Sequence, residues 1–482
     1  MLLGFGLVLL AQAHAAGAAP LSDALRVQRP AGGEWFGVYL VDKKVGWYFT
    51  DLALLPGNRS RARYVAELAF NVKAGQASID RHHREERVYE SRPSGRLLSF
   101  VFEDSGDGGT QTLVGKATPG GIEVLRRRPG HPEEKLSFPP STETVEDTDQ
   151  VRVSLLRNAP VSGIWLDATD LVASKVTTTP GDSEVRSVSG VRVSLRHATT
   201  ISEKDKVPGV SAVTAHGTIL ETVFGGNSAF RAEPKSVAQR LDRVEIFGLA
   251  RLVLPKPIPD GARGVPGEMT LVLDGLGPDF RRSPERQSYR PLEGGKTEVR
   301  IRAAPPEVSQ LGTRPLKAPG GEEYLKATLA VESEAPEIVS KAREIAGAET
   351  DAYATAKKVV AWVGAHMKKE YGASADRATD VLRQMRGDCT EHSLLSVALL
   401  RALGIPARRV DGVVYVGSGD GVPALYWHEW VEAYVGSTWT QLDPTLGQSV
   451  ADATHLALGE ESQSDIMTLL GKLKVLDVSS RQ

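Results

Sequence analysis

The chain has 482 residues, 41% of them apolar and 24% charged, and a net charge of −2. That length exceeds one ordinary core and calls for two or three domains, and the apolar and charged shares are those of globular proteins. The near-neutral balance offers no basic surface for nucleic acid or an anionic membrane, and a single cysteine excludes an intrachain disulfide and any cysteine-rich zinc site.

Leu2 to Leu10 is an apolar run too short to span a bilayer, and Ala13-His14-Ala15 fits a small-x-small cleavage site. Residues 1–19 therefore read as a secretory signal peptide, and the mature protein is expected to be exported, periplasmic or extracellular. No later segment is long and apolar enough for a transmembrane helix, so no membrane span is expected.

Residues 20–33 are small, polar and Pro/Gly-containing and read as a linker. From Glu34 the pattern alternates. Trp35 to Leu40 and Val45 to Phe49 flank the polar step Val41-Asp42-Lys43-Lys44, a hairpin signature. Further strands are predicted at 63–72, 86–90, 97–103, 110–117 and 121–126, separated by turns such as Pro93-Ser94-Gly95 and Pro119-Gly120-Gly121. A short helix is predicted over 151–157. Strands resume at 172–178, 185–188, 191–199, 212–222 and 229–232, and 237–247 reads as a helix or as two broken segments. This is a large, mainly antiparallel β region with one wet face, placed at 30–254.

The closely spaced prolines of Pro255-Lys256-Pro257-Ile258-Pro259 forbid a regular element and mark a boundary. A small β segment follows at 262–314, and a second linker near Pro315 to Gly321. The domain from 322 to 482 opens with helices. Residues 336–346 carry apolar residues at helical spacing and end at Gly347, and 351–369 repeat the theme with Ala354, Val359, Val360, Trp362 and Val363. A short helix near 379–382 leads to Gly387. Strands are then expected at 408–416, 425–434 and 439–442, and a closing strand at 473–478. Helices first and strands after give an α+β domain, with a helix packed on an antiparallel sheet.

The chemistry gathers around Gly387-Asp388-Cys389-Thr390-Glu391-His392. The lone cysteine is followed at once by a helical run from Leu394 to Leu403 that Gly404 and Pro406 stop. Cys389 thus sits at a helix N-terminus, where unpartnered N–H groups favour a thiolate. Downstream, His428 lies in the aromatic strand Tyr426 to Tyr434, and Asp443 ends the next short strand at Pro444. A hairpin through Gly436-Ser437 joins the two. Cysteine on a helix, histidine on one strand and aspartate on the next can form a Cys-His-Asp triad.

The run from about Tyr324 to Leu446 resembles the bacterial branch of the transglutaminase-like superfamily, a papain-like cysteine fold. The matching residues are Gly387-Asp388-Cys389 with Glu391-His392, Arg401 to Arg408, His428 to Glu432 and Trp439 to Thr445. The resemblance implies Cys389 as nucleophile, His428 as general base and Asp443 as the residue that fixes the imidazole tautomer. It covers about the last third of the chain.

Other residues are assigned around that core. The pleat puts His428, Trp430 and Glu432 on one face, and Trp427 and Trp430 are expected to bind substrate as a tryptophan wall. Asp388, Glu391, His392 and Arg408 are expected to support the site, with Glu391 and Arg408 paired. Gln384 and Tyr371 are the candidates for a second oxyanion donor beside the Cys389 N–H. His82 and His83 are strand neighbours on opposite faces and so cannot readily share an ion, no acidic loop has calcium-ligand spacing, and neither metal nor cofactor is expected.

The expected activity is acyl transfer on a protein or peptide substrate. A Cys389 thioester would be resolved by water, as in an amidase or protease, or by an amine, as in a transglutaminase. Hydrolysis of a peptide or isopeptide bond is favoured. The alternative is a non-catalytic binding or scaffold protein with a degenerate site, whose β domain binds a partner or polymer.

Overall fold

The computed structural model describes residues 20–481 apart from 75–76, 94, 107–108, 169–171, 189, 205, 242, 259–265, 284, 320, 372–374, 376, 418–420 and 461–463. The signal-peptide assignment at 1–19 lies outside the described residues. No helix among those described is long and apolar enough to cross a membrane.

A short helix, α1 (Asp23–Arg26), precedes an antiparallel meander. Its first strands are β1 (Glu34–Leu40), β2 (Lys43–Leu55), β3 (Asn58–Ala74), β4 (Ala77–Glu90), β5 (Leu97–Gly106), β6 (Gly109–Thr118), β7 (Gly121–Arg127) and β8 (Glu134–Phe138). Helix α2 (Gln150–Arg157) intervenes. Then come β9 (Val161–Asp167), β10 (Val172–Val188), β11 (Val191–Ser202), β12 (Gly209–Thr214), β13 (Ile219–Phe224) and β14 (Ser228–Ala232). Strands adjacent in the chain pair with each other, and β1 also pairs with β14, so one sheet runs from β8 to β1 and on from β14 to β9.

The sheet curls around α2. Val153 of that helix shares an apolar core with Tyr64, Phe100, Leu113 and Ile122 from one half and with Val161 and Leu166 of the far edge. A polar tie crosses the same space: Arg87 of β4 donates to Glu143 at 2.5 Å and to the Leu166 carbonyl. A flat sheet would not bring β4 against β9.

Two strand expectations change here. The strand expected over 212–222 is the β12–β13 hairpin. It turns at Gly217, whose φ of +79° and close approach to the Gln28 carbonyl exclude a side chain. The strands expected at 172–178 and 185–188 are one strand, β10, because Pro180-Gly181 makes a register shift within the ladder rather than a turn.

The second half begins after a connector made of α3 (Lys235–Ala238), β15 (Val244–Glu245), α4 (Ile246–Ala250) and β16 (Leu252–Val253). Then follow β17 (Glu268–Asp274), β18 (Gln287–Pro291) and β19 (Thr297–Arg302). Four helices, α5 (Pro336–Ala346), α6 (Ala352–His366), α7 (Ala378–Gln384) and α8 (Cys389–Ala402), are interrupted by the two-residue parallel pair β20 (Lys368–Lys369) and β21 (Arg386–Gly387). The chain closes with β22 (Ala407–Tyr415), β23 (Ala424–Tyr434), β24 (Trp439–Leu442), β25 (Leu456–Glu460) and β26 (Lys474–Arg481).

Local chemistry explains the helix ends. Pro336 opens α5 and Gly347 closes it at φ +56°. Asp351 caps α6 by accepting the Ala354 N–H at 2.6 Å. Helix α8 is apolar nearly all round and is buried on all sides. Its Leu394, Leu395, Val397, Leu399 and Leu400 lie in one core with Val359 and Val363 of α6, Val381 of α7 and Val431 of β23.

The segment at 262–314 is joined to the C-terminal end of the chain. Strand β17 pairs with β19 on one side and with β26 on the other. Its Met269, Leu271 and Leu273 share a core with Val413, Leu425 and Leu456. Three short strands have too little apolar surface to stand alone. The connector then spans the two halves: β15 pairs in parallel with β3, and β16 pairs with the start of β23. The chain has therefore reached the second sheet before the proline-marked boundary.

Candidate active site

Cys389 is the first residue of α8, one position after its N-cap. The cap is a reciprocal box. Asp388 Oδ1 accepts the Thr390 N–H at 3.0 Å, and the Glu391 carboxylate accepts the Asp388 N–H at 2.9 Å. Gly387 has no side chain because the Glu391 side chain occupies that space, with Cβ 2.3 Å from where a Gly387 Cβ would be. The Gly-Asp-Cys-x-Glu pattern is thus a single device that seats the sulfur at the helix end. The box takes up the N–H groups of Asp388 and Thr390 on either side of Cys389.

Strand β23 brings His428 to the same place. Ser393 Oγ on α8 donates to the Glu429 carbonyl at 3.1 Å and fixes helix to strand. The Glu429 N–H donates to the Cys389 sulfur. Cys389 and His428 line one predominantly apolar cavity of about 290 Å³. His428 donates from Nε2 to Asp443 Oδ2 at 2.7 Å, which leaves Nδ1 outside that bond. The Asp443 Oδ1 atom accepts the Leu446 N–H at 2.9 Å. Helix α6 presses on the following turn at Gly364, where a Cβ would lie 2.6 Å from the Pro444 carbonyl. The structure therefore brings Cys389, His428 and Asp443 together.

Behind Asp443 stands a residue that the sequence did not single out. His455 donates from Nε2 to the same Oδ2 atom at 3.0 Å, and its Nδ1 faces Asp452 Oδ1 at 3.1 Å. His455 is fully buried. Asp452 also accepts from the Thr454 N–H and from Gln448. The fully buried Arg286 guanidinium holds this loop by donating to the carbonyls of Ala451 and Asp452 at 3.0 and 2.7 Å. Burial pushes Arg286 down to about 10, against the pull of Asp452 and Glu432. The result is a line of alternating groups, His428–Asp443–His455–Asp452.

The charges follow from that line. Burial opposes ionisation of Asp443, but His428 and His455 hold its carboxyl well below the usual carboxylate range. Burial also opposes charge on His455, yet its bonds to Asp443 and Asp452 outweigh it and raise its pKa. An imidazole donating from both nitrogens to carboxylates is an imidazolium. His428, Asp443 and His455 offer three ligand atoms within 4.8 Å of one another. As they stand, both Nε2 atoms donate to one carboxylate oxygen, so an ion would have to displace both protons.

The sulfur differs from the expectation that a helix end alone yields a thiolate. Burial pushes the Cys389 thiol well above its ordinary value, and the charges of Asp388 and Glu429 push the same way. The Glu429 N–H acts in the opposite direction. The half-buried site and the acidic cap overcome the helix end, so the proton needs a base to leave.

The supporting residues divide. Trp427 lines the cavity with Tyr426. Trp430 does not: it is fully buried, lies parallel to His428 at 6.0 Å between ring centroids, and meets His455 edge-on at 5.1 Å. The expectation that Trp430 binds substrate is corrected; strand parity gave its face and not its depth. Its Nε1 donates to Gln441 at 3.0 Å, and its ring leaves no room for a side chain at Gly412. The pairing of Glu391 with Arg408 is also corrected. Strand register sets Arg408 opposite Glu432, to which it donates at 2.8 Å, and its guanidinium lies over Trp439. His392 is buried behind the cap, with Nδ1 2.7 Å from the Asp388 carbonyl, and burial lowers its pKa. Gln384 lies in a separate polar cavity against the N-terminal sheet. Tyr371 is near enough to Cys389 and Asp388 that, after burial, their charges raise its pKa, so its hydroxyl remains a donor.

Residues 339–444 match the transglutaminase-like superfamily. No curated protein matches the chain. Among solved structures, a candidate cysteine protease from Cytophaga hutchinsonii is 17% identical, covers 48% of this chain and 85% of its own, and has a TM-score of 0.30. A β-barrel-like protein from Brucella abortus is 10% identical over 42% of this chain and 94% of its own, at 0.30. The periplasmic domain of TgpA from Pseudomonas aeruginosa, bound to ethylmercury, is 17% identical over 42% and 90%, at 0.26.

Proposed function

We propose, from the transglutaminase-like domain at residues 339–444, that the protein is a thiol-dependent acyl-transfer enzyme acting on amide bonds of proteins or peptides. The observation that carries this reading is the shared cavity of Cys389 and His428, with His428 Nε2 held by Asp443 at 2.7 Å.

The chemistry runs through this chain's own groups. His428 Nδ1 takes the thiol proton as the Cys389 sulfur attacks an amide carbonyl. The Cys389 N–H and the Tyr371 hydroxyl receive the negative oxygen. His428 then returns the proton to the departing amine, and a thioester remains. Water drawn in by the same imidazole hydrolyses it, and hydrolysis of a peptide or isopeptide bond is the favoured outcome. Asp443 keeps the imidazole in the tautomer with its lone pair on Nδ1. Trp427 lies against the substrate. Export by the segment at 1–19 belongs to the same proposal.

Because the chain has one cysteine, alkylation read by mass spectrometry reports Cys389 alone. Wild type should label near neutral pH. His428→Ala should label only at alkaline pH, since burial and the charges of Asp388 and Glu429 hold the isolated thiol up. Identical profiles would point to the inert thiol of a scaffold protein. Cys389→Ala should abolish amide turnover with the fold retained, and turnover in that variant would end the assignment.

A further inference from the structure

The apolar wall of the cavity beside Cys389 and His428 is completed by four residues outside the transglutaminase-like domain. Leu40 reaches it from the end of β1, Ile246 from α4, and Ile466 and Leu470 from the segment before β26. Beside the catalytic pair, the domain itself contributes Tyr426 and Trp427 with Thr390, Asp411, Gly412 and Glu429. Ile246 and Leu470 are each held by ties to the N-terminal sheet. Ile246 stands between β15, zipped to the N-terminal sheet, and β16, zipped to β23. The Leu470 carbonyl accepts from Asn227 at 2.5 Å, and Leu470 packs with Val38, Leu40 and Val45.

We propose that this cavity receives a large apolar side chain of the substrate, next to the reacting carbonyl, and that the N-terminal sheet and the connector select it. The inference rests on the acyl-transfer reading above. A volume of about 290 Å³ lies at the small end of ligand sites and suits one large side chain with adjoining backbone. The lining is apolar save for Thr390, Asp411, Glu429 and the catalytic groups, and no lysine or arginine lines it among the described residues. Glu429 has Arg409 at 3.4 Å, away from the lining. A leucine or phenylalanine side chain loses only water on entering. A carboxylate would be stripped of water beside two acids with no cation to meet it. The N-terminal half thereby forms part of the substrate site and is not a separate binding module.

The test needs no known substrate. Peptidyl chloromethyl ketones carrying Ala, Leu, Phe or Glu at the residue bearing the ketone are reacted with the full chain, with iodoacetamide as the armless reference. The readout is the rate of Cys389 modification by each reagent divided by the iodoacetamide rate, which corrects for changes in the thiol itself. Leu and Phe arms should exceed Ala about tenfold or more, with Glu slowest. In Ile246→Asp and in Ile466→Asp, both at half-buried positions, the Leu and Phe advantage should fall to within about threefold. Equal ratios for all arms, or an advantage that survives in both variants, would overturn the proposal. Arm discrimination without turnover of any amide by wild type would retain the pocket and remove the acyl-transfer reading. Amide turnover indifferent to the arm would do the reverse.

Discussion

Each half of the chain buries a network of charged groups, and the two are finished differently. In the N-terminal sheet, Glu143 accepts from Arg87, from the Tyr89 hydroxyl and from the Leu166 N–H at 2.8 Å, and Arg87, Tyr89 and Glu143 are fully buried. That network is closed on the protein itself: Arg87 also donates to Glu85 and to the Leu166 carbonyl, and what these bonds accomplish is to hold β4 against β9. In the C-terminal half, the line Asp452–His455–Asp443–His428 is as deep at one end but opens at the other onto a cavity that also holds a thiol. A closed network can only stabilise. An open one keeps a proton acceptor facing a space where a substrate can lie, and this difference separates a structural ion cluster from a candidate active site.

The sharpest way to test the contrast is to neutralise one carboxylate in each network. Asp443→Asn keeps the shape but offers His428 the wrong partner, and turnover should fall by about 10³- to 10⁴-fold while the melting temperature changes little. A variant with near-normal kcat would show that the open line is as structural as the closed one. Glu143→Ala should behave in the opposite way. It takes from the buried Arg87 one of its two carboxylate partners, leaving Glu85, and should cost about 3 kcal/mol in urea unfolding, with ordinary activity in the folded fraction. A loss below about 1 kcal/mol would mean that the sheet does not depend on this tie.

How far the contrast can be read from sequence alone depends on what fixes each residue. Cys389 was legible because its device is local: Gly387, the Asp388 cap and Glu391 lie within five residues, and the helix that follows is unmistakably apolar. His428 and Asp443 were legible because a short hairpin joins their strands. His455 was not. It lies 12 residues beyond Asp443 and is brought back to it by the β22–β25 pairing and by Arg286, which is 169 residues away in the chain. Its one local sign is an Asp452-x-Thr454-His455 turn, a pattern that loops use widely. Trp430 shows the same limit at shorter range, since strand parity names a face but not whether another layer covers it. The helices α5 and α6 were placed closely by their periodicity and caps. The curl of the N-terminal sheet was hidden because it depends on α2, Arg87 and Glu143 meeting across the interior.

His455 supplies the next test of the open line. His455→Leu removes one of the two donors on Asp443 Oδ2 and one positive charge. Loosening the carboxylate should cost roughly 10²-fold in turnover. The charge change has a separate signature. With the imidazolium gone, a positive charge beside the site is lost and protons there are held more tightly, so the acidic limb of Cys389 alkylation should move to higher pH as turnover falls. A loss of turnover with an unmoved limb would mark His455 as packing alone.

The smallest effect concerns the cap that seats the sulfur. Burial, and then the charge of Asp388, push Glu391 up from 4.5 to about 8. The folded chain thus holds this proton more tightly than the unfolded chain does. The resulting stability is complete below the unfolded value and is lost as the pH rises through about 8. Glu391→Gln preserves the cap, because an amide oxygen can accept the Asp388 N–H in the same geometry, and it removes the titration. Urea unfolding of the wild type should therefore weaken between pH 6 and pH 9 relative to the variant, by about 1–2 kcal/mol. Parallel stability curves would mean that Glu391 is ionised in the folded state throughout this range. The Asp388 charge would then act on Cys389 beside a second fixed negative charge, and the base at His428 would face a still more reluctant thiol.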